Sequence, residues 1–159
     1  MFIDNQENLK FILGRDSNLF SKDLNKYEKE IKEIIECSKF LIIGGAGSIG
    51  SSLTIEIFKR NPKLLHVVDI SENNTAELVR NIRSSFGYIK GDFQTFAIDC
   101  SSKEFNFMIN QNSSYDYIFN LSALKHVRSE KDPFTLMRLT QTNIFNIINA
   151  LRITKKKGT

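Results

Sequence analysis

The chain has no tryptophan, two prolines and two cysteines, and these shortages already exclude several classes of protein. Cys37 and Cys100 lie far apart and outside any Cys-x-x-Cys spacing, so no disulfide framework, zinc site or other metal is expected. That usage suits a reducing compartment and sets the expectation of a cytoplasmic protein. Neither a low-complexity tract nor an internal repeat occurs. No run approaches the ~20 apolar residues of a membrane span. The opening stretch "MFIDNQENLKFILGRD" carries Asp4, Glu7, Lys10, Arg15 and Asp16 where a signal peptide would have an apolar core, so no membrane partner is expected. An excess of one charge is also missing: 22 basic and 18 acidic residues interleave to a net +4. The one basic cluster, Arg152 with Lys155, Lys156 and Lys157, ends a helical pattern, where cations complement the dipole. Its alternative reading is a nucleic-acid or membrane patch; no nucleic-acid partner is expected.

What is present is an ordinary globular composition, 41% hydrophobic and 25% charged over 159 residues, enough for one domain with a real core. Residues 1–20 show no period and read as an irregular arm. In "SKDLNKYEKEIKEIIEC" (21–37), Leu24, Tyr27, Ile31, Ile34 and Ile35 form one stripe behind a Ser21 cap, predicting a leading amphipathic helix on the outside of the domain. Strand and helix then alternate. Strands are predicted at 39–43, 64–69, 95–99 and 115–121. Helices are predicted at 48–60, at 72–85 with Leu78, Val79 and Ile82 inward, and at 102–112 behind a Ser101–Glu104 capping box. A last helix starts at Asp132–Pro133 and buries Leu136, Leu139, Ile144, Ile147, Ile148 and Leu151. Four such alternations predict an α/β fold: a Rossmann-type doubly wound parallel sheet of about four strands, ordered 3-2-1-4.

The chemistry centres on "FLIIGGAGSIG" (40–50). A glycine cluster can be a hinge, a tight turn or a backbone cradle for phosphate, and spacing alone does not choose. Context does: a buried strand enters and a helix leaves. Gly44 permits the turn, Gly47 admits a pyrophosphate against bare backbone, and Gly50 allows close helix packing. The helix beginning near Ser48 points free N–H groups and its positive end at the phosphates, with Ser48 and Ile49 able to add contacts. No GK[ST] follows, so a Walker loop is excluded. Asp69, 19 residues past Gly50 at the end of the second strand, is placed to accept adenosine ribose hydroxyls and to repel a 2′-phosphate. NAD is therefore expected as cofactor over NADP. Its competing reading is a helix cap, a role Ser71 already fills. Asp99, ending the third strand with Cys100 beside it, is either an acid at the adenine edge or a cap for the next helix.

The segments "IGGAGSIG", "VVDISEN", "NLSALKHVRSEKDP" (120–133) and "TNIFN" together resemble the extended short-chain dehydrogenase/reductase superfamily. Within it the chain is most similar to nucleotide-sugar 4,6-dehydratases of the CapD-like polysaccharide-biosynthesis group, over about residues 21–153. The resemblance implies a UDP-N-acetylglucosamine or related substrate, and a homo-oligomeric full-length enzyme. It implies an internal redox cycle in which NAD takes a hydride from C4, water leaves C6, and the hydride returns there. It places Leu121, Ser122 and Ala123 against the cofactor, and Lys125, His126 and Asn143 toward the substrate. Against this stand plainer readings: a packed loop histidine, a solvated lysine and an ordinary helix asparagine.

The family's base is a Tyr-x-x-x-Lys pair after a fifth strand, and here the four tyrosines, Tyr27, Tyr88, Tyr115 and Tyr117, are followed four places on by Ile31, Asp92, Phe119 and Leu121. No catalytic residue of that kind is present. The expected organisation is an arm over 1–20, a leading helix over 21–38 and an incomplete NAD-binding domain over 39–159, truncated before the fifth strand. Weak or no turnover by this chain alone is the consequence. Other readings are a fragment of a sugar-nucleotide epimerase or reductase, a non-catalytic NAD or nucleotide-sugar binding module, or a remnant.

Overall fold

The computed structural model describes residue 14 and residues 19–111, 114–124 and 132–155. The arm predicted over 1–20, and Lys125 and His126, lie mostly or wholly outside the described residues. The chain divides into two compact units, Met1–Ile34 and Ile35–Thr159. The first contains most of helix α1 (Ser21–Cys37), which forms where the apolar stripe predicts it, with Asp23 in its first turn favourable to the dipole.

The second unit alternates as expected: β1 (Lys39–Ile43), α2 (Ser48–Phe58), β2 (Leu64–Asp69), α3 (Glu72–Phe86), β3 (Asp92–Ala97), α4 (Lys103–Gln111), β4 (Tyr117–Asn120), α5 (Pro133–Thr140) and α6 (Asn146–Lys155). All pairings are parallel and the strand order is β3-β2-β1-β4, with Phe40 opposite Leu65 and Tyr117. This is the Rossmann-type α/β fold. The two inner strands, "KFLII" and "LLHVVD", are apolar almost throughout because helices cover both of their faces. Alternation sends Leu41, Ile43 and Val68 to one face, where they pack with Phe105, Met108 and Ile109 of α4 and Ala150 of α6. The other face carries α2 and α3, whose Ile57, Phe58, Leu78 and Ile82 are buried as the periodicity requires. Burying each such side chain stabilises by about 1.5–3 kcal/mol.

Local signals explain the connections. Asn61 takes a left-handed φ of 56° between α2 and β2, and its side chain accepts Lys90 N–H at 2.9 Å. Asparagine tolerates that region better than other residues with a Cβ. Ser71 caps α3 through Asn74 N–H at 3.3 Å, and Asp132 caps α5 through the N–H groups of Phe134 and Thr135 at 3.1 and 3.0 Å.

Three expectations are corrected. β3 occupies 92–97 and not 95–99, because its register is set by pairing with β2 from Leu64↔Asp92 onward and not by its own apolar run. Asp99 therefore lies beyond the strand. The cap of α4 is Ser102, whose Oγ accepts Phe105 N–H at 3.2 Å; Ser101 turns its N–H and hydroxyl to Asp99 instead, so the Ser101–Glu104 box does not form. The stripe assigned to the last helix is broken. A π-helical stretch, Gln141–Phe145, separates α5 from α6 and rotates the buried face. Asn146 and Ala150 turn inward, while Leu136, Ile144, Ile148 and Leu151 are exposed.

Candidate functional site

The carboxyl ends of β1, β2 and β4 converge on a cavity of about 330 Å³, at the point where strand order reverses direction from β1. Its floor is the glycine turn. Gly44 has φ +75°, and both its N–H and that of Gly45 donate to Val68 O, at 2.7 and 3.2 Å. A Cβ on Gly44 would stand 2.5 Å from Ser122 N, so glycine is required both by conformation and by the approach of the β4 loop. Gly50 is tighter: its Cβ would lie 2.0 Å from Gly44 O, because the first turn of α2 rests on the loop backbone. Gly47 is different. Its Cβ would meet only Gly44 O, at 3.4 Å, so the space above it is free.

The N-cap of α2 is Gly47, which offers no side-chain cap, so the first N–H groups of the helix stay open to a ligand. Gly45, which sequence reasoning passed over, is packed against Val67, and its carbonyl accepts the buried Thr54 hydroxyl at 3.1 Å. The second glycine of a pair is hard to single out by spacing; only packing shows its role.

Asp69 ends β2 with both oxygens engaged. Oδ2 accepts Ala46 N–H at 3.0 Å and Oδ1 accepts Ser71 N–H at 2.9 Å, so one carboxylate ties the glycine turn to the start of α3. Four lone-pair positions on a carboxylate leave two for other donors. Asp99 also lines the cavity, with Oδ1 holding Ser101 N–H at 2.8 Å and the Ser101 hydroxyl at 2.7 Å. Beside it, burial pushes the Cys100 thiol above its ordinary range, outweighing contacts to Ser122 Oγ at 3.8 Å and Asn146 Nδ2 at 3.4 Å. Burial thus favours the neutral thiol over the thiolate.

From β4, Leu121 N–H continues the ladder to Ile43 O at 2.7 Å, and Ser122 bends back to Asn120 Oδ1, its hydroxyl at 2.6 Å. Asn143 clasps the Leu124 backbone from the π-helical stretch: Oδ1 accepts its N–H at 2.9 Å and Nδ2 donates to its carbonyl at 3.1 Å. It thus holds the Leu124 backbone; Lys125 and His126, next in the chain, are outside the described residues.

The structure brings together Gly44, Gly47, Asp69, Asp99, Cys100, Leu121, Ser122 and Ala123 around one cavity. Gly50, Ser71 and Asn143 support it from behind. Ser48 and Ile49 stand exposed at the start of α2 and do not line it. Sequence reasoning missed Arg138, Gln141 and Thr142, which close the cavity from α5 and the π-helical stretch. Their spacing of three and four would have found them, had the apolar residues of that helix not been taken as its inward face.

Among the described residues, no group of side chains could hold a metal ion, and no helix is long and apolar enough to cross a membrane. A family model described as "Polysaccharide biosynthesis protein" matches residues 40–159. An uncharacterized membrane protein of Methanocaldococcus jannaschii is 28% identical over 126 residues, covering 79% of this chain and 34% of its own length. Pen from Bacillus thuringiensis matches in structure with a TM-score of 0.62 at 27% identity, over 77% of this chain and 36% of that one. The Bordetella bronchiseptica enzyme WbmF, solved with NAD+ and UDP, matches with a TM-score of 0.57 at 16% identity, over 78% of this chain and 34% of that one. The present chain therefore spans about a third of the length of these relatives.

Proposed function

Since this chain belongs to the polysaccharide biosynthesis protein family, we propose that it is the NAD-binding portion of a nucleotide-sugar 4,6-dehydratase, acting on a UDP-N-acetylglucosamine-type substrate. The observation that carries the binding part is the free space over Gly47. Two neighbouring glycines are locked by contacts below 3.0 Å, whereas Gly47 faces an open cavity beside an uncapped helix start. A purely structural turn has no use for that opening; a pyrophosphate does. WbmF, a structural neighbour, was solved with NAD+ and UDP, which fits the same reading.

The residues present fit the group. The N–H groups at the start of α2 would hold the phosphates, and the free lone pairs of Asp69 would take ribose hydroxyls. A 2′-phosphate would meet the Asp69 charge, which favours NAD over NADP. Asp99, with one oxygen engaged by Ser101, keeps its other oxygen for the base. When bound, the dinucleotide supplies reversible hydride acceptance. Ser122 and Ala123 would border its reactive half, and Asn143 would fix the Leu124 backbone, while a substrate-facing role for Lys125 and His126 rests on the family resemblance alone. No Tyr-x-x-x-Lys pair occurs in these 159 residues, so the chain's own contribution is binding and orientation.

Titration calorimetry tests this. NAD should give saturable heat, and NADP markedly weaker binding. No heat for NAD from a chain with an intact melting transition overturns the reading.

A further inference from the structure

Three ionised side chains line the cavity among the described residues: Asp69, Asp99 and Arg138. Both carboxylates hold backbone N–H groups of their own chain, Asp69 those of Ala46 and Ser71, Asp99 that of Ser101. The Arg138 guanidinium has no hydrogen bond or ion pair to any described residue. It lies on α5 one turn before Gln141 and Thr142, which border the same cavity. The remainder of the lining is mainly apolar or backbone. Among the described residues the lining thus carries two negative charges and one positive one, and it includes Gly47, the uncapped N-cap position of α2.

A ligand carrying a diphosphate brings two more negative charges into that field. The helix end offsets roughly half a charge. Among the described residues Arg138 is the only full positive charge in the lining, and its planar fork matches phosphate oxygens. Arg138 is also exposed, so packing does not account for it. On the reading that the cavity takes a dinucleotide, we propose that Arg138 recognises its phosphate charge, making it a specificity residue in the lining that also holds Gly44 and Gly47.

The test compares NAD, ADP and adenosine on the full chain by calorimetry, with adenosine followed by NMR shifts where heat is small. Arg138→Ala and Arg138→Gln should each weaken NAD and ADP about tenfold or more, the range of a charge-assisted hydrogen bond. Adenosine affinity should not change, and the salt dependence of NAD binding should flatten. The glutamine variant keeps helix propensity and length, so its loss reports charge; melting curves check that both variants fold. Unchanged NAD affinity in the variants, with the native chain binding NAD, overturns this proposal and leaves the dinucleotide reading standing. An equal loss for adenosine also overturns it, since Arg138 would then be stacking on the base. A native chain that binds neither NAD nor ADP overturns both.

Discussion

Replacing Gly50 and Gly47 in turn with alanine separates folding from binding within one turn of the chain. Gly50 sits inside α2, where alanine is intrinsically better than glycine by about 1 kcal/mol. Propensity alone therefore predicts a more stable protein. Against it, the new Cβ would stand 2.0 Å from Gly44 O, 2.7 Å from Gly45 Cα and 2.9 Å from Gly44 C. All three are backbone atoms of a loop held by Val68 O, Asp69 and Thr54, so none can move aside as a flexible side chain would. Overpacking of this kind costs about 1–3 kcal/mol, and rigid neighbours put it at the upper end. The net expectation for Gly50→Ala is a loss of about 1–2 kcal/mol, several degrees in Tm. NAD affinity falls with it, because the cradle must shift.

Gly47→Ala behaves in the opposite way. Its Cβ makes only an ordinary 3.4 Å contact, and the loss at this cap position stays below about 1 kcal/mol. The methyl group then stands where the ligand's phosphate would approach, so NAD heat disappears from a folded chain. Thermal melts followed by circular dichroism, with calorimetry on each variant, decide the matter. A Gly50→Ala chain as stable as the native one would refute the packing reasoning. A Gly47→Ala chain binding NAD normally would refute the cradle.

Three further outcomes follow, two from the core and one from the surface. His66 is fully buried, with Nδ1 2.8 Å from the Tyr115 hydroxyl and Nε2 facing Asp92 Oδ2 at 3.7 Å without a hydrogen bond. Burial holds its pKa below 6.5, outweighing the attraction of Asp92. The unfolded chain then binds more protons than the folded one, so this contribution is full above about pH 6.5 and declines as pH falls toward the lower folded value. Denaturant midpoints should drop between pH 7.5 and 5, with a shallower slope in His66→Asn; equal slopes would sink this account. Thr54→Val removes the buried bond to Gly45 O and should lose about 1 kcal/mol, with Thr54→Ser recovering part of it; an unchanged Tm in the valine variant counts against a role for that bond. Tyr117 on the outer strand β4, with Phe134, Met137 and Ile144 exposed on the helices, predicts concentration-dependent association in sedimentation, and a monomer at high concentration contradicts it.

Much of the fold was legible because its signals are local. "KFLII" and "LLHVVD" read as buried strands from composition, and Leu78 and Ile82 read as inward from helical spacing. Ser71 and Asp132 could be recognised as caps because a cap needs only the next three residues. The limits of β3 could not be read this way: a strand's ends depend on its partner, and β2 pairs from Asp92 onward while the apolar run starts later. The last helix misled for a related reason. Periodicity assumes 3.6 residues per turn, and the π-helical stretch at Gln141–Phe145 breaks that assumption, turning Ile144 and Ile148 outward and Asn146 inward.

The sequence by itself determined that a strand, a glycine turn and a helix stand in the order a phosphate cradle needs, and that Asp69 lies at the end of the next strand. Chain order and local sterics settle those points. Tertiary structure alone decided which glycines are locked and which is open, since only the facing backbone of Leu121 and Ser122 and the turn itself distinguish Gly44 and Gly50 from Gly47. It also decided that Asp69 braces the loop, and that Arg138, remote in sequence, closes the same cavity. Contacts between distant segments leave no periodic trace along the chain, so they become visible only once the segments are folded together.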